Sequence, residues 1–393
     1  MQTANNDKTI NNLINHHFIF FYFLQNYQKK KKEHTLFTRN YYFCRNKSQN
    51  MPNSSKNNYI SVAKALGIIL MVVGHSGCPT AMGKFIYLFH MPLFLVCSGY
   101  FFKDISDRNS LSSFYIKRIK GLYLPYLKWS LLFLSLHNIF RNLYITESVI
   151  YQKDDYIRQF IKLIAMTDYE LLIRPFWFIK ELLFASLIVA TISFFISRLS
   201  IKKKSGVLFV IALISSVISK LLPPIPLIGD CSVLCLSILY YYTGILIYKY
   251  RHHIQPTYTT MTLSFCIVLI GSIFFVGIID MRFTTIYNQI PYFVLSITGI
   301  ILILCISLKL ETIKNVSALY YIGNHTMPIL ALNLLTLKIG NLIKIWIYDM
   351  PIKALSSYTV IYENNSLFWL IYTTIGVVTP LIIYISYHRI IIR

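Results

Sequence analysis

Long apolar runs, broken by short polar or basic stretches, recur along this chain from residue 59 almost to its end. A helix needs roughly 20 apolar residues to cross the hydrocarbon core of a bilayer. On run length, spans fall near 60–77, 85–102, 121–140, 176–197, 206–222, 231–248, 259–279, 290–308, 326–346 and 367–388, about ten in all. The pattern predicts an all-α polytopic integral membrane protein embedded in a lipid bilayer.

Loop charge sets the expected orientation. The loops after even-numbered spans hold Lys103, Arg108, Lys117, Arg118 and Lys120, then Arg198, Lys202, Lys203 and Lys204, then Lys249 and Arg251, then Lys309 and Lys314, then Arg389 and Arg393. The loops after odd-numbered spans are poorer, with Lys84, Lys220, Arg282 and Lys353. Loop 141–175 mixes basic residues with Glu147, Asp154, Asp155, Asp168 and Glu170, and long loops weigh less in the positive-inside rule. Both termini are therefore expected in the cytoplasm, and loop 141–175 outside, where it partly covers a site. The expected location is the inner (plasma) membrane.

Residues 1–58 differ from the rest. They are rich in Asn, Lys, Gln and Tyr, with "QKKKKEH" at 28–34 and a short apolar patch, "FIFFYFL", at 18–24. The patch is too short to span, and a basic run that follows it is the reverse of a signal peptide. One reading is a disordered basic arm lying on acidic lipid. The other starts translation at Met51, and the low complexity of the arm, which cannot build a core, favours it. The membrane domain is expected over 59–393.

Composition agrees with a membrane protein. Of 393 residues, 55% are hydrophobic and 13% charged, against about 25% charged in a soluble domain. The net charge of +23 is explained by cytoplasmic loops and calls for no nucleic acid. The seven cysteines form no CxxC pair, so neither a zinc site nor a disulfide framework is expected.

Chemistry concentrates at "ILMVVGHSGCP", residues 69–79. Lys64 precedes His75 by eleven residues, close to three turns, so both share one helix face ~16 Å apart. Ionisable residues inside a membrane are costly and mark function by default. The alternatives are that Lys64 snorkels to the inner interface and that His75 is a wet interfacial residue. "GHSGC" nearly matches a serine nucleophile elbow, but Cys78 stands where Gly should, and the segment ends a helix rather than opening one. His90, in "FIYLFHMPLFLVCSGYFF" at 85–102, is expected at the depth of His75. Two histidines there suit an acid–base site or a metal pair, and a metal lacks an evident third ligand.

Four stretches carry a family resemblance: "KALGIILMVVGH" at 64–75, "FHMPLFLVCSGYFF" at 89–102, "FYIKRIKGLYLPY" at 114–126 and "FWFIKELLF" at 176–184. Over residues 59 to about 388 the chain resembles the integral-membrane acyltransferases of type three, within them the fucose 4-O-acetylase-like branch. Two positions depart from that branch. Ser61 stands where it commonly has Asp, and "IGNHTMPILALN" at 322–333 ends in Asn333 where it commonly has His. Asn forms hydrogen bonds but cannot shuttle a proton near neutral pH.

The resemblance implies acyl transfer from a cytoplasmic acyl-CoA, most simply acetyl-CoA as co-substrate with no tightly bound cofactor. The acceptor would be a sugar hydroxyl of a surface polysaccharide, exopolysaccharide or lipid-linked glycan. His75 suits the general base, with His90 orienting the acceptor or polarising the thioester. Lys64, Lys117, Arg118 and Lys120 suit the CoA phosphates, although the last three also fit ordinary positive-inside charge. Trp177 is an interfacial anchor or a sugar-stacking face, and Asn333 a substrate-positioning group. Two rival readings are a polysaccharide transporter or flippase and a degenerate member that only binds acyl-CoA.

Overall fold

The computed structural model describes residues 58–197, 201–221, 231–313, 316–357, 359–363 and 367–392. The N-terminal arm expected over 1–58 thus lies, apart from its last residue, outside the described residues.

Every regular element among the described residues is helical. Helix α1 is Asn58–His75, α2 Thr80–Tyr87, α3 His90–Tyr100 and α4 Arg108–Arg118. A π-helical turn, Ile119–Tyr123, leads into α5, Leu124–Ser135, followed by α6, His137–Asn142, and α7, Lys153–Ile164. A 3₁₀ turn, Leu171–Phe176, precedes α8, Trp177–Phe195. Then come α9 (Ile201–Ile218), α10 (Cys231–Lys249), α11 (Tyr258–Phe274), α12 (Gln289–Glu311), α13 (Ser317–Asn324), α14 (Thr326–Tyr348) and α15 (Phe368–Ile392). The chain is an all-α polytopic membrane protein.

Seven stretches are long and apolar enough to cross a membrane unaided: 58–75, 80–100, 171–195, 231–249, 289–311, 326–348 and 368–390. Each of the ten expected spans coincides with a helix, but three of those helices fall short of spanning length. In place of 121–140, α5 begins with Pro125 in its first turn and stops at Ser135. In place of 259–279, α11 stops at Phe274, Phe275 turns extended, and Gly277 takes φ +104°. In place of 206–222, the apolar helix covers Gly206–Ile218 and then tightens into a 3₁₀ turn, Ser219–Leu221. Apolar run length measures what a segment can bury; backbone breaks decide how much of it is one helix.

The second expected span is bent as well. Pro92 has no N–H to give the carbonyl four residues earlier, that of Leu88, and its ring crowds that carbonyl. The chain accordingly breaks between α2 and α3, with Phe89 at φ −137°, ψ −15°. Helix α12 supplies the missing donors: the Ser296 hydroxyl donates to the Leu88 carbonyl at 2.5 Å and the Tyr292 hydroxyl to the Tyr87 carbonyl at 3.0 Å. In lipid a freed backbone group must find such a partner. The bend leaves His90 in the first turn of α3.

Helices α3 and α10 pack backbone to backbone. A methyl group on Gly99 would lie 1.8 Å from the Tyr241 carbonyl oxygen, and one on Gly244 would lie 2.1 Å from that of Val96. Small residues allow this approach inside a membrane. Arg118 closes the same junction, donating to Ser98 Oγ at 3.0 Å and to the Tyr241 hydroxyl at 2.7 Å.

Candidate active site

Helix α1 runs unbroken from Lys64 to His75, so the three-turn spacing read from the sequence stands. Lys64, Ile68, Met71 and His75 recur at four, three and four residues, which is one helix face. That face lines two cavities. The first, about 390 Å³, is walled by His75, Gly74, Tyr87, His90, Arg174, Pro175, Trp177, Asp280, Arg282, Tyr292, Thr359 and Tyr362, among others. The second, about 340 Å³, is walled by Lys64, Ile68, Phe94, Cys97, Ser98, Arg118, Phe178 and Leu330, among others. Met71 and Met91 line both.

His90 is buried, with Nδ1 3.0 Å from the Ile86 carbonyl oxygen. A carbonyl only accepts, so Nδ1 carries the proton and the neutral ring offers Nε2 as its acceptor. The ring stands edge-on to Tyr87 at 4.9 Å, and the Tyr87 hydroxyl reaches the Gly74 carbonyl at 3.4 Å. Ser76 takes no such place. It is fully buried, and its hydroxyl donates back to the Val73 carbonyl at 2.7 Å, so the serine elbow has no counterpart in the fold.

Trp177 opens α8 and faces the His75 cavity together with Arg282, whose guanidinium lies 5.1 Å from its ring centroid. Arg282 in turn donates to both Asp280 oxygens, at 3.1 and 2.6 Å. The 3₁₀ turn Leu171–Phe176, which leads into α8, contributes Arg174 and Pro175. Although His75, His90 and Asp280 share this cavity, no three His, Cys, Asp or Glu side chains among the described residues gather closely enough to hold a metal ion.

The remaining candidates divide. Lys64 and Arg118 line the second cavity, whereas Lys117 and Lys120 are exposed and line neither. Asn333 is fully buried behind the wall, its Nδ2 donating to Met71 Sδ at 3.4 Å, and it too lines neither cavity. His325, in the same motif, stacks on Tyr321 at 4.2 Å, with Nδ1 2.8 Å from the Tyr321 carbonyl, and lines neither cavity. Ser61, the other departure, donates to Asn324 Oδ1 at 3.2 Å. Sequence reasoning missed Arg174, Asp280, Thr359 and Tyr362 and counted Arg282 only as loop charge. The one local signal was Asp280 and Arg282 together between two apolar runs.

The helical membrane body thus encloses one chamber that holds Lys64 and Arg118 and another that holds His75 and His90, along one shared helix face. The family model described as an acyltransferase domain matches residues 57–385. The chain belongs to the acyltransferase type three family and is a multi-pass membrane acyltransferase. No curated protein and no solved structure matches it.

Proposed function

We propose that this acyltransferase moves an acetyl group from cytoplasmic acetyl-CoA to a sugar hydroxyl of a surface or lipid-linked glycan, as in the fucose 4-O-acetylase-like branch, at the plasma membrane. The observation that carries the reading is the face Lys64–Ile68–Met71–His75, which passes from one cavity into the other. In this reading Lys64 and Arg118 hold the donor's anionic end, and the thin pantetheine arm runs along that face, past Met71 and Met91, to His75. With the N-terminal end of α1 in the cytoplasm, its His75 end faces outside. A group made inside is then handed to an acceptor outside.

His75 takes the proton of the acceptor hydroxyl as its oxygen attacks the thioester carbonyl carbon. The tetrahedral intermediate collapses, the carbon–sulfur bond breaks, and the CoA sulfur leaves as thiolate to be protonated. His90, with Nε2 as acceptor, suits a hydrogen bond from a sugar hydroxyl better than one to the thioester carbonyl. Trp177, with Arg282 beside it, gives a sugar ring an aromatic face. No protein nucleophile is required, in keeping with the buried, back-bonded Ser76.

The reading is tested by comparing the envelope glycans of a deletion strain and its parent by mass spectrometry. A mass deficit of one acyl group in the deletion strain is expected; identical glycans would favour a member that only binds acyl-CoA. At the donor end, Lys64→Ala should raise the apparent KM for acetyl-CoA about tenfold, matching loss of one charge-assisted contact of ~1.4 kcal/mol. Initial rates at varied acetyl-CoA check it, and an unchanged KM would remove Lys64 from the donor site.

A further inference from the structure

Two lysines deep in the fold have no part in this mechanism. Lys338 and Lys344 are buried on α14, with Asn341 midway between them, also buried. Burying a lysine is costly, so its ammonium must be well supplied with acceptors. Backbone carbonyls of one stretch supply acceptors to all three. Lys338 Nζ donates to the Leu355 carbonyl at 3.0 Å and to that of Ser357. Asn341 Nδ2 donates to the Thr359 carbonyl at 3.4 Å, while Asn341 Oδ1 accepts the Ile361 N–H at 3.2 Å. Lys344 Nζ donates to the Ile361 carbonyl at 2.8 Å.

The carbonyls taken are those of residues 355, 357, 359 and 361, every second one. Leu355 lies in the 3₁₀ turn Ile352–Ser356, and Ser357 leaves it at φ −43°, ψ 134°; side chains of α14 meet the carbonyls of the turn and of the stretch that follows it. The Tyr372 hydroxyl steadies Asn341 Oδ1 at 2.7 Å. Ser356 Oγ donates to Glu147 Oε1 at 2.8 Å, tying the stretch to the long loop after α6. Residue 358 lies outside the described residues; the stretches on either side make these bonds. What the ladder holds is the wall of the His75 chamber, because Thr359 and Tyr362 both line it.

We propose that residues 355–357 and 359–362, held by Lys338, Asn341 and Lys344, form the acceptor-selecting wall of the chamber, with Thr359 and Tyr362 reading the hydroxyl pattern of the sugar. This rests on the acyl-transfer reading of the same chamber. Tyr362 is 68% exposed, so its ring is available to stack on a sugar and can be removed without disturbing the core. The lysines act as positioning residues, through the backbone they fix.

The test uses the purified full chain in detergent, [¹⁴C]acetyl-CoA as donor, and detergent extract of deletion-strain envelopes as the acceptor source. Tyr362→Ala and Thr359→Val should each raise the apparent KM for the extract about tenfold, equivalent to ~1.4 kcal/mol, and leave the KM for acetyl-CoA unchanged. Lys344→Met, which keeps the length but removes the donor, should raise the same KM and speed amide exchange over residues 355–361. An unchanged extract KM in both Tyr362→Ala and Thr359→Val would overturn the proposal. So would a donor KM that rises by the same factor, the mark of general damage. If the unaltered protein transfers no label, the acyl-transfer reading fails instead. The exchange measurement then still decides whether the lysines hold the stretch.

Discussion

His75→Ala is expected to lose at least about 100-fold in acetyl transfer, since a positioned general base typically contributes ~10²–10⁴-fold. The loss should fall on kcat, with acetyl-CoA still bound, because Lys64 and Arg118 line the other cavity. His75 forms no hydrogen bond that would cross-link α1 to another helix among the described residues, and it ends its helix, so folding should survive. The protein should extract and elute like the unaltered chain. Initial-rate measurements on matched amounts of purified protein check the prediction, and retained activity would remove His75 from the reaction. His90→Asn is the informative partner, since its amide N–H can take the place of Nδ1 and still bond the Ile86 carbonyl in the same pocket.

The second large effect concerns the fold. Gly99→Ala should cost at or above the upper end of the ~1–3 kcal/mol typical of overpacking. The added methyl meets backbone, not a flexible side chain, 1.8 Å from the Tyr241 carbonyl oxygen. To relieve it α3 must move away from α10, which would pull Ser98 and Tyr241 off Arg118 and distort the wall of the second cavity. The measurements are yield of monodisperse protein in detergent and thermal unfolding. A variant with the parent's melting temperature would show that the helices do not pack as described. Ser98→Ala, which removes one partner of Arg118 and adds no bulk, should be far milder.

These two predictions mark what was legible in the sequence. Lys64, His75, His90 and the Ser98-Gly99 pair sit inside single helices, where spacing alone fixes which face they share. The expected span over 85–102 took no account of Pro92, and nothing local showed that Ser296 and Tyr292, some two hundred residues later, would supply the donors. Arg174, Asp280, Thr359 and Tyr362 lie on connections between helices, and they become neighbours of His75 only when those connections fold over one end of the bundle. Asn333 shows the opposite limit. The motif named it as a substrate-positioning group, yet its side chain reaches Met71 instead of the cavity, so any influence it has on substrate passes through that methionine. Lys338 and Lys344 would read as ordinary polar interruptions of an apolar run until the carbonyls they meet are seen.

The meeting of two cavities at Met71 and Met91 has a kinetic consequence. In the acyl-transfer reading proposed above, donor and acceptor have separate rooms and can be resident together, so neither must leave before the other arrives, and no covalent acyl carrier has to store the group between visits. Thioether side chains are supple and apolar. In that reading the pair at the junction, Met71 and Met91, is where the donor's slender arm passes and bulk water is held back. In the same reading the thioester is shielded from futile hydrolysis whenever no sugar is waiting on the other side.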